Sequence, residues 1–209
     1  LYGKISLIRT RHIPRCAHNQ RILHSTMPPA VQKIYEGGGK AVYHMKKVAL
    51  IMGSDSDLPI VTPAVKQLKE LGIETEVRVM SAHRTPKQAQ DFAENAAKNG
   101  FGVIIAAAGM AAHLGGVLAA STTLPVIGIP CSAKVLDGMD AMLATVMMPP
   151  GIPVATVGVN AAKNAALLAA EILAVGDDAL AKKLADMRKD MENAVIEKDK
   201  AMQEKIKEI

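Results

Sequence analysis

VALIMGSDSD, residues 48–57, is a continuous apolar run that passes directly into a turn of Gly, Ser and Asp. An unbroken apolar run of this length predicts a strand buried on both faces, as in a parallel sheet covered by helices. Similar strand-like runs follow over 73–80, 103–107, 125–129 and 154–158. Helical patterns alternate with them over 59–71, 86–99, 111–121, 139–146 and 160–175. Repeated βα units predict an α/β fold of three layers, α/β/α, with a doubly wound, flavodoxin-like parallel sheet.

The two ends of the chain differ in composition from this central part. Residues 1–44 hold seven Lys and Arg against Glu36 alone, and they lack sustained apolar periodicity. They predict a disordered leader or a non-native upstream extension, with an organelle transit peptide as the alternative. Residues 45–176 are predicted to form the catalytic domain. Over 177–209, apolar residues at helical spacing predict an amphipathic C-terminal helix that packs on its own domain or on a neighbouring subunit.

Composition and charge exclude several classes of function. The net charge of +5 comes from residues 1–44, and the remainder is nearly neutral, without Trp and with only Phe92 and Phe101 as aromatic residues. Stacking surfaces for bases are therefore lacking, and we expect no nucleic-acid partner. No apolar run reaches the ~18 residues of a membrane span. Cys16 and Cys131 show neither disulfide nor zinc spacing, which favours a reducing compartment and a cytoplasmic location.

Ligands of doubly wound sheets bind outside the carboxyl ends of the strands, and the first predicted strand ends in a candidate phosphate site. Because Gly53 has no side chain, a ligand can come close to its backbone, and the hydroxyls of Ser54 and Ser56 suit a phosphate at a helix N-terminus. Asp57 suits sugar hydroxyls. The alternative is that Ser56 or Asp57 only caps the helix. GxGxxG and P-loop patterns are absent, which argues against a dinucleotide or nucleoside triphosphate.

The second predicted strand ends in SAHRTP, residues 81–86. Arg84 can bind a phosphate bidentately, and Ser81 can add a hydroxyl. His83 can act as a general acid or base near neutral pH. The alternative is a loop histidine beside a helix cap, with Thr85 as the cap residue.

The third predicted strand leads into AAHLGG, residues 111–116. Small residues such as Ala112 can form a wall for a flat substrate, with His113 at its edge. The alternatives are helix–sheet packing for the alanines and a buried core position for His113. His83 and His113 are the only histidines after His44, so the three motifs together predict proton transfer on a phosphorylated small molecule, without a metal cluster.

Five motifs resemble, in order and spacing, those of the N5-carboxyaminoimidazole ribonucleotide mutase family of purine biosynthesis. They are GSDSD at 53–57, SAHRTP at 81–86, AAHL at 111–114, MPPGIPV at 148–154 and NAALLA at 164–169. The resemblance covers Met45 to about Asp186. It implies an isomerase that moves a carboxylate from N5 to C4 of an aminoimidazole ribonucleotide without metal, biotin or nucleotide cofactor.

The resemblance also implies residue roles and partners. Ser54, Asp57 and Arg84 would hold the ribose phosphate, with Ser81 nearby. His83 would protonate the carbamate nitrogen as carbon dioxide leaves, and would remove the C4 proton after recapture; His113 would line the pocket. A homo-octamer with exchanged C-terminal helices, and functional coupling to the ATP-dependent carboxyaminoimidazole ribonucleotide synthase, are implied as well.

Two other functions are kept as alternatives. A related branch carboxylates the unmodified ribonucleotide with free carbon dioxide; it typically has Lys where Arg84 stands and lacks an AAHL segment. A non-enzymatic nucleotide-binding or receiver module would need a phosphoacceptor Asp where Ala106–Gly109 end the third strand. Among departures from the mutase pattern, Met110 stands where many members have Gly.

Overall fold

The computed structural model describes residues 34–35, 41–42, 46–207 and 209, with side chains for 46–207 and 209. Strands β1 (Ile34–Tyr35) and β2 (Ala41–Val42) pair with each other antiparallel. The predicted leader, residues 1–44, otherwise lies outside the described residues, so its disorder stays a prediction, as do the domain boundaries.

The main sheet has five strands, all parallel. In chain order they are β3 (Lys47–Met52), β4 (Thr75–Val79), β5 (Phe101–Gly109), β6 (Val126–Cys131) and β7 (Ala155–Thr156). Their order across the sheet is β4-β3-β5-β6-β7, the flavodoxin-like order. The direction of winding reverses between β3 and β5, which is where such sheets bind ligands.

Helices cover both faces of this sheet and complete the three predicted layers. They are α1 (Leu58–Leu71), α2 (Pro86–Ala96), α3 (Leu114–Ala120), α4 (Met139–Val146), α5 (Ala162–Ala174) and α6 (Asp178–Lys207). Side chains alternate along β3: Val48 and Leu50 join the core under α1 and α5, whereas Ala49 and Ile51 join the core under α2 and α3. The predicted α/β fold is confirmed.

Several boundaries differ from the sequence prediction for local reasons. β6 continues to Cys131, because Pro130 and Cys131 stay in register with Ala108 and Gly109 of β5. α3 begins at Leu114 rather than at residue 111, because Ala112 N and His113 N donate to carbonyl oxygens only two residues earlier, Met110 O and Ala111 O, which is not a helical pattern. Both differences lie at the carboxyl edge of the sheet.

The predicted amphipathic C-terminal helix is confirmed as α6. Leu180 and Leu184 are buried in the core with α1 and α5. Beyond Met187 the apolar residues are exposed, among them Val195 and Met202. The first turns thus pack on this chain's own domain. None of the helices in the described part of the chain has the length and apolarity that crossing a bilayer requires.

Candidate active site

A cleft of about 630 Å³ lies at the carboxyl ends of β3, β4, β5 and β6. Its lining includes most of the residues predicted as a site: Gly53, Ser54, Ser56, Asp57, Ser81, His83, Arg84 and His113. Ala112, also predicted, is 2% exposed and does not line the cleft. The structure thus brings the three sequence motifs together across the switch point of the sheet.

A single tight turn after β3 presents the serines and Asp57. Gly53 N donates to the carbonyl oxygen of Ala107 at 3.1 Å, which ties the turn to β5. Ser54 Oγ accepts from Ser56 N at 3.3 Å and from Ser56 Oγ at 2.8 Å. Asp57 occupies the N-cap position of α1 but makes no capping hydrogen bond with its side chain. Asp57 lines the cleft, so its carboxylate can also meet a ligand there.

Partial burial raises the pKa of Asp57 above its ordinary value of 3.8. The charge of Asp55 raises it further, whereas hydrogen bonds from the backbone of Ser54 and the side chain of Ser56 lower it. The charged form of Asp57 is thus less favourable in the folded chain than in the unfolded chain. A charge kept at the expense of stability is a common property of binding sites.

Asp57→Asn is expected to raise the Tm at pH 7 by about 1–2 °C, because it removes a charge that burial disfavours. Since the pKa is raised by folding, the charge destabilises the folded state above that pKa, and the destabilisation is lost as the pH falls through it. Thermal melts should therefore show a gain at pH 7 that shrinks at about pH 4. Glu192→Gln, at an exposed residue of α6, is the control. An unchanged or lower Tm for Asp57→Asn at pH 7 would contradict the expectation.

The turn after β4 is closed by its own hydroxyls. Ser81 Oγ accepts from His83 N at 3.4 Å and from Arg84 N at 3.2 Å. Thr85 is at the predicted N-cap position of α2, but its hydroxyl does not cap the helix. Instead, Thr85 Oγ1 accepts from Ser81 N at 2.9 Å and donates to Ser81 O at 3.2 Å. This turn leaves the side chains of His83 and Arg84 exposed in the cleft.

Arg84 links the two turns. Its Nη2 donates to the carbonyl oxygen of Gly53 at 3.2 Å. A guanidinium has five N–H donors, so most of them remain for an anion beside the serine hydroxyls.

The two histidines meet across the cleft. His83 Nε2 lies 2.9 Å from His113 Nδ1, and the ring centroids are 5.0 Å apart at an interplanar angle of 77°. In this hydrogen bond one ring nitrogen donates its hydrogen and the other accepts it, so a single proton lies between the two nitrogens. His113 is exposed rather than a core residue. The arrangement provides a proton donor and acceptor beside an anion site.

Met110 lies at the mouth of the cleft in a conformation that suits Gly. Its φ is 55° and the residue is 60% exposed. A left-handed backbone costs a residue with a side chain roughly 1–2 kcal/mol. The backbone at this position therefore keeps the geometry that Gly would adopt freely, although Met occupies it.

The sequence prediction missed the contribution of the fourth strand. Ser132 and Ala133, which follow β6, also line the cleft. The carboxyl-end rule that identified the other turns applies to this one too, but the strand was expected to end at Ile129. Cys131 is buried beside them, and burial, followed by the charge of Asp57, raises the pKa of its thiol to about 12. This thiol is protonated at neutral pH and is not a nucleophile.

Within residues 46–207, no group of three or more His, Cys, Asp or Glu side chains is placed to hold a metal ion. From the described side chains, the cleft offers hydroxyls, one guanidinium, one carboxylate and two imidazoles. Such a set can bind a phosphorylated sugar and transfer protons.

Comparisons with known proteins agree with this chemistry. A family model described as AIR carboxylase matches residues 47–194. The N5-carboxyaminoimidazole ribonucleotide mutase of Pyrococcus abyssi is 54% identical over 147 residues, which cover 70% of this chain and 84% of that protein. The mutase of the same name from Methanocaldococcus jannaschii is 52% identical over 160 residues, covering 77% and 99%. The crystal structure of Treponema denticola PurE shows 30% identity with a TM-score of 0.67, covering 73% of this chain and 95% of that one.

Proposed function

The chain belongs to the AIR carboxylase family and is a mutase of purine biosynthesis, and from that premise we propose that His83 performs the proton transfers of the reaction. The enzyme is an isomerase that moves the carboxylate of N5-carboxyaminoimidazole ribonucleotide from N5 to C4, giving 4-carboxy-5-aminoimidazole ribonucleotide. One observation carries the proposal: the His83–His113 contact of 2.9 Å lies in the cleft that also holds Arg84 and the serine turn.

The substrate phosphate binds at the β3 and β4 ends of the cleft. Arg84 supplies the positive charge, and Ser81 supplies a hydroxyl. The Ser54 hydroxyl adds a second donor when it turns to the phosphate from Asp55 Oδ1, to which it donates at 3.2 Å. Asp57, whose carboxylate makes no capping hydrogen bond, accepts from a ribose hydroxyl. Ser56 supports Ser54 through the hydrogen bond between their hydroxyls. This orientation directs the imidazole of the substrate towards the two histidines.

The chemistry needs one proton donor that later acts as an acceptor. Protonated His83 donates to N5 as the bond from N5 to the carboxylate carbon breaks, which leaves 5-aminoimidazole ribonucleotide and carbon dioxide. C4 then forms a bond to the same carbon dioxide, and neutral His83 takes the C4 proton. The proton that His83 gives to N5 is replaced by the proton that it takes from C4, so no cofactor is consumed. His113 holds the His83 ring in place through the contact between Nε2 and Nδ1.

Carbon dioxide must stay near C4 between the two steps, because a molecule lost to water is lost to the reaction. The β5 side of the cleft is built from small residues, among them Ala108, Gly109 and Ala111. This wall gives a space next to the histidines with few hydrogen-bonding groups for water.

The decisive experiment compares two substrates with the purified enzyme. We expect C4 carboxylation from the N5-carboxylated ribonucleotide without added bicarbonate. The branch that uses free carbon dioxide would instead carboxylate 5-aminoimidazole ribonucleotide and depend on bicarbonate. Isotopic labelling of the N5 carboxylate adds a second readout, since retention of label in the product is expected even with unlabelled bicarbonate present. Complete exchange of the label would contradict sequestration.

We also propose that the enzyme is a homo-octamer. On α4 and the turn before it, apolar side chains are exposed: Val135, Leu136, Met139, Leu143, Val146 and Met147. Asp140 Oδ1, on the same helix, is buried without a hydrogen-bond partner among the described residues. The exposed apolar residues of α6, Met191 to Ile206, offer another surface. Light scattering that shows a monomer would contradict this proposal.

The chemistry of the substrate favours a particular metabolic partner. An N-carboxylated amine loses carbon dioxide in water, so a nearby source favours efficient use. We therefore propose functional coupling to the ATP-dependent synthase that makes this substrate. We also propose a cytoplasmic location, which rests on the cysteine pattern of the sequence.

A further inference from the structure

Asn160 holds the hydroxyl of Ser132 at the edge of the cleft. Ser132 follows β6, and Asn160 lies shortly before α5. Asn160 Oδ1 accepts from the backbone N of Ser132 at 2.9 Å, and Asn160 Nδ2 donates to Ser132 Oγ at 2.8 Å. These two atoms cannot be exchanged, because a backbone N–H only donates and must face the amide oxygen.

The orientation of the amide decides what the Ser132 hydroxyl can do. Nδ2 of Asn160 is a donor, so Ser132 Oγ is the acceptor in that contact. The hydroxyl hydrogen is then left for a different partner. Among the residues with described side chains, Ser132 Oγ makes only the hydrogen bond that it accepts from Asn160. Because Ser132 lines the cleft, this hydrogen is available to a bound ligand.

The backbone of Asn160 is anchored to the sheet. Its φ is 57°, a left-handed conformation that Asn adopts more readily than most residues. Asn160 N donates to the carbonyl oxygen of Pro130 in β6 at 2.9 Å. The amide is thus fixed relative to the strand that carries Ser132.

The β5 and β6 end of the cleft has few polar side chains. Ala108, Gly109, Ala111 and Ala133 form most of it, and among the residues with described side chains only His113 and Ser132 offer hydrogen-bonding side chains there. Adjacent strands are about 4.8 Å apart, so the end of β6 is roughly 10 Å from the end of β3. A ribonucleotide held by its phosphate at β3 and β4 therefore extends its base end towards Ser132.

We propose that Ser132, positioned by Asn160, donates a hydrogen bond to the carboxylate of the bound ribonucleotide. A carboxylate only accepts hydrogen bonds, and the Ser132 hydroxyl, with its oxygen already engaged, is set to donate. The inference rests on the proposed function, because the mutase substrate and product both carry this carboxylate. Ser132 is the binding residue, and Asn160 is a positioning residue.

The test compares two ligands that differ only in the carboxylate. By calorimetry, Ser132→Ala should weaken binding of 4-carboxy-5-aminoimidazole ribonucleotide by about tenfold, the loss typical of one hydrogen bond to a charged group. Binding of 5-aminoimidazole ribonucleotide should not change. Ser132→Thr, which keeps a hydroxyl, should bind both ligands as the wild type does. Ser121→Ala removes a hydroxyl that donates to Val117 O outside the cleft and is the matched control.

Asn160→Asp tests the positioning role. It keeps an acceptor for Ser132 N but replaces the donor with a carboxylate oxygen, which captures the Ser132 hydroxyl hydrogen. We expect the loss seen in Ser132→Ala, confined to the carboxylated ligand. In the double variant the two losses should not add. Asn95→Asp, on the exposed face of α2, controls for the added charge.

Three results would overturn the inference. If Ser132→Ala binds the carboxylated ligand as tightly as the wild type, Ser132 does not donate a hydrogen bond to the carboxylate. If the variant binds both ligands more weakly by the same factor, Ser132 contacts the ribose or the phosphate instead. If the losses of binding free energy in the two single variants add fully in the double variant, Asn160→Asp acts only by repulsion between its new carboxylate and the ligand, and not through Ser132. If the wild type isomerises the N5-carboxylated substrate, these results leave the proposed function intact; absence of that activity in the wild type defeats the function itself.

Discussion

Replacing His83 with Asn is expected to lower kcat for carboxylate transfer by about 10²–10⁴-fold, the usual contribution of a general acid/base. Asn is polar and similar in size to part of the imidazole, but it cannot carry a proton between N5 and C4. Both proton transfers of the proposed reaction use this one side chain, so its loss affects carbon dioxide release and recapture together. The measurement is the rate of C4 carboxylation at saturating substrate.

His113→Asn is the matched comparison for that variant. His113 touches the reacting histidine and serves to hold it, so we expect a smaller loss, about tenfold. Affinity for 5-aminoimidazole ribonucleotide should be nearly unchanged in both variants, which shows that the cleft still forms. Full activity in His83→Asn would defeat the mechanism. A larger loss of kcat in His113→Asn than in His83→Asn would mean that His113 transfers the protons and that His83 holds it in place.

The layers and the parallel direction of the sheet could be predicted because they depend on local pattern. The run at 48–52 is apolar at every position, and the structure buries both of its faces. Because a helix connects each strand to the next, successive strands can run in the same direction, and the alternation therefore predicts a parallel sheet. Boundaries at the carboxyl edge were less predictable, because Pro130 continues β6 only by staying in register with Ala108 of β5.

The contact between the two histidines is a tertiary feature that no local pattern contains. His83 and His113 are 30 residues apart and follow β4 and β5. These strands lie on either side of β3, so the contact depends on the strand order and on the conformation of both turns. The sequence marked both residues as candidates, whereas their distance came only from the structure. Ser132 was not among the candidates from the sequence, and the placement of its hydroxyl likewise depends on a tertiary contact, the hydrogen bond from Asn160, 28 residues away.

Arg84→Met is expected to raise KM by about 10²–10⁴-fold, because a bidentate contact to phosphate combines two charge-assisted hydrogen bonds of roughly 1.5–3 kcal/mol each. The effect on kcat should be smaller, since Arg84 does not touch the reacting atoms. Arg84→Lys keeps the charge without the planar fork and should recover part of the loss. Lys87→Met removes an exposed cation of α2 that pairs with Asp91, and it should leave KM unchanged.

Arg84 also donates to Gly53 O, so a loss in Arg84→Met has two physical explanations. Ligand variation separates them. If Arg84 binds the phosphate, the wild type should bind 5-aminoimidazole ribonucleotide far more tightly than the nucleoside that lacks the phosphate, and Arg84→Met should bind both weakly and alike. If Arg84 acts by tying the two turns together, the variant should lose affinity for nucleotide and nucleoside by the same factor. The second outcome would remove Arg84 from the phosphate site and leave it a structural role.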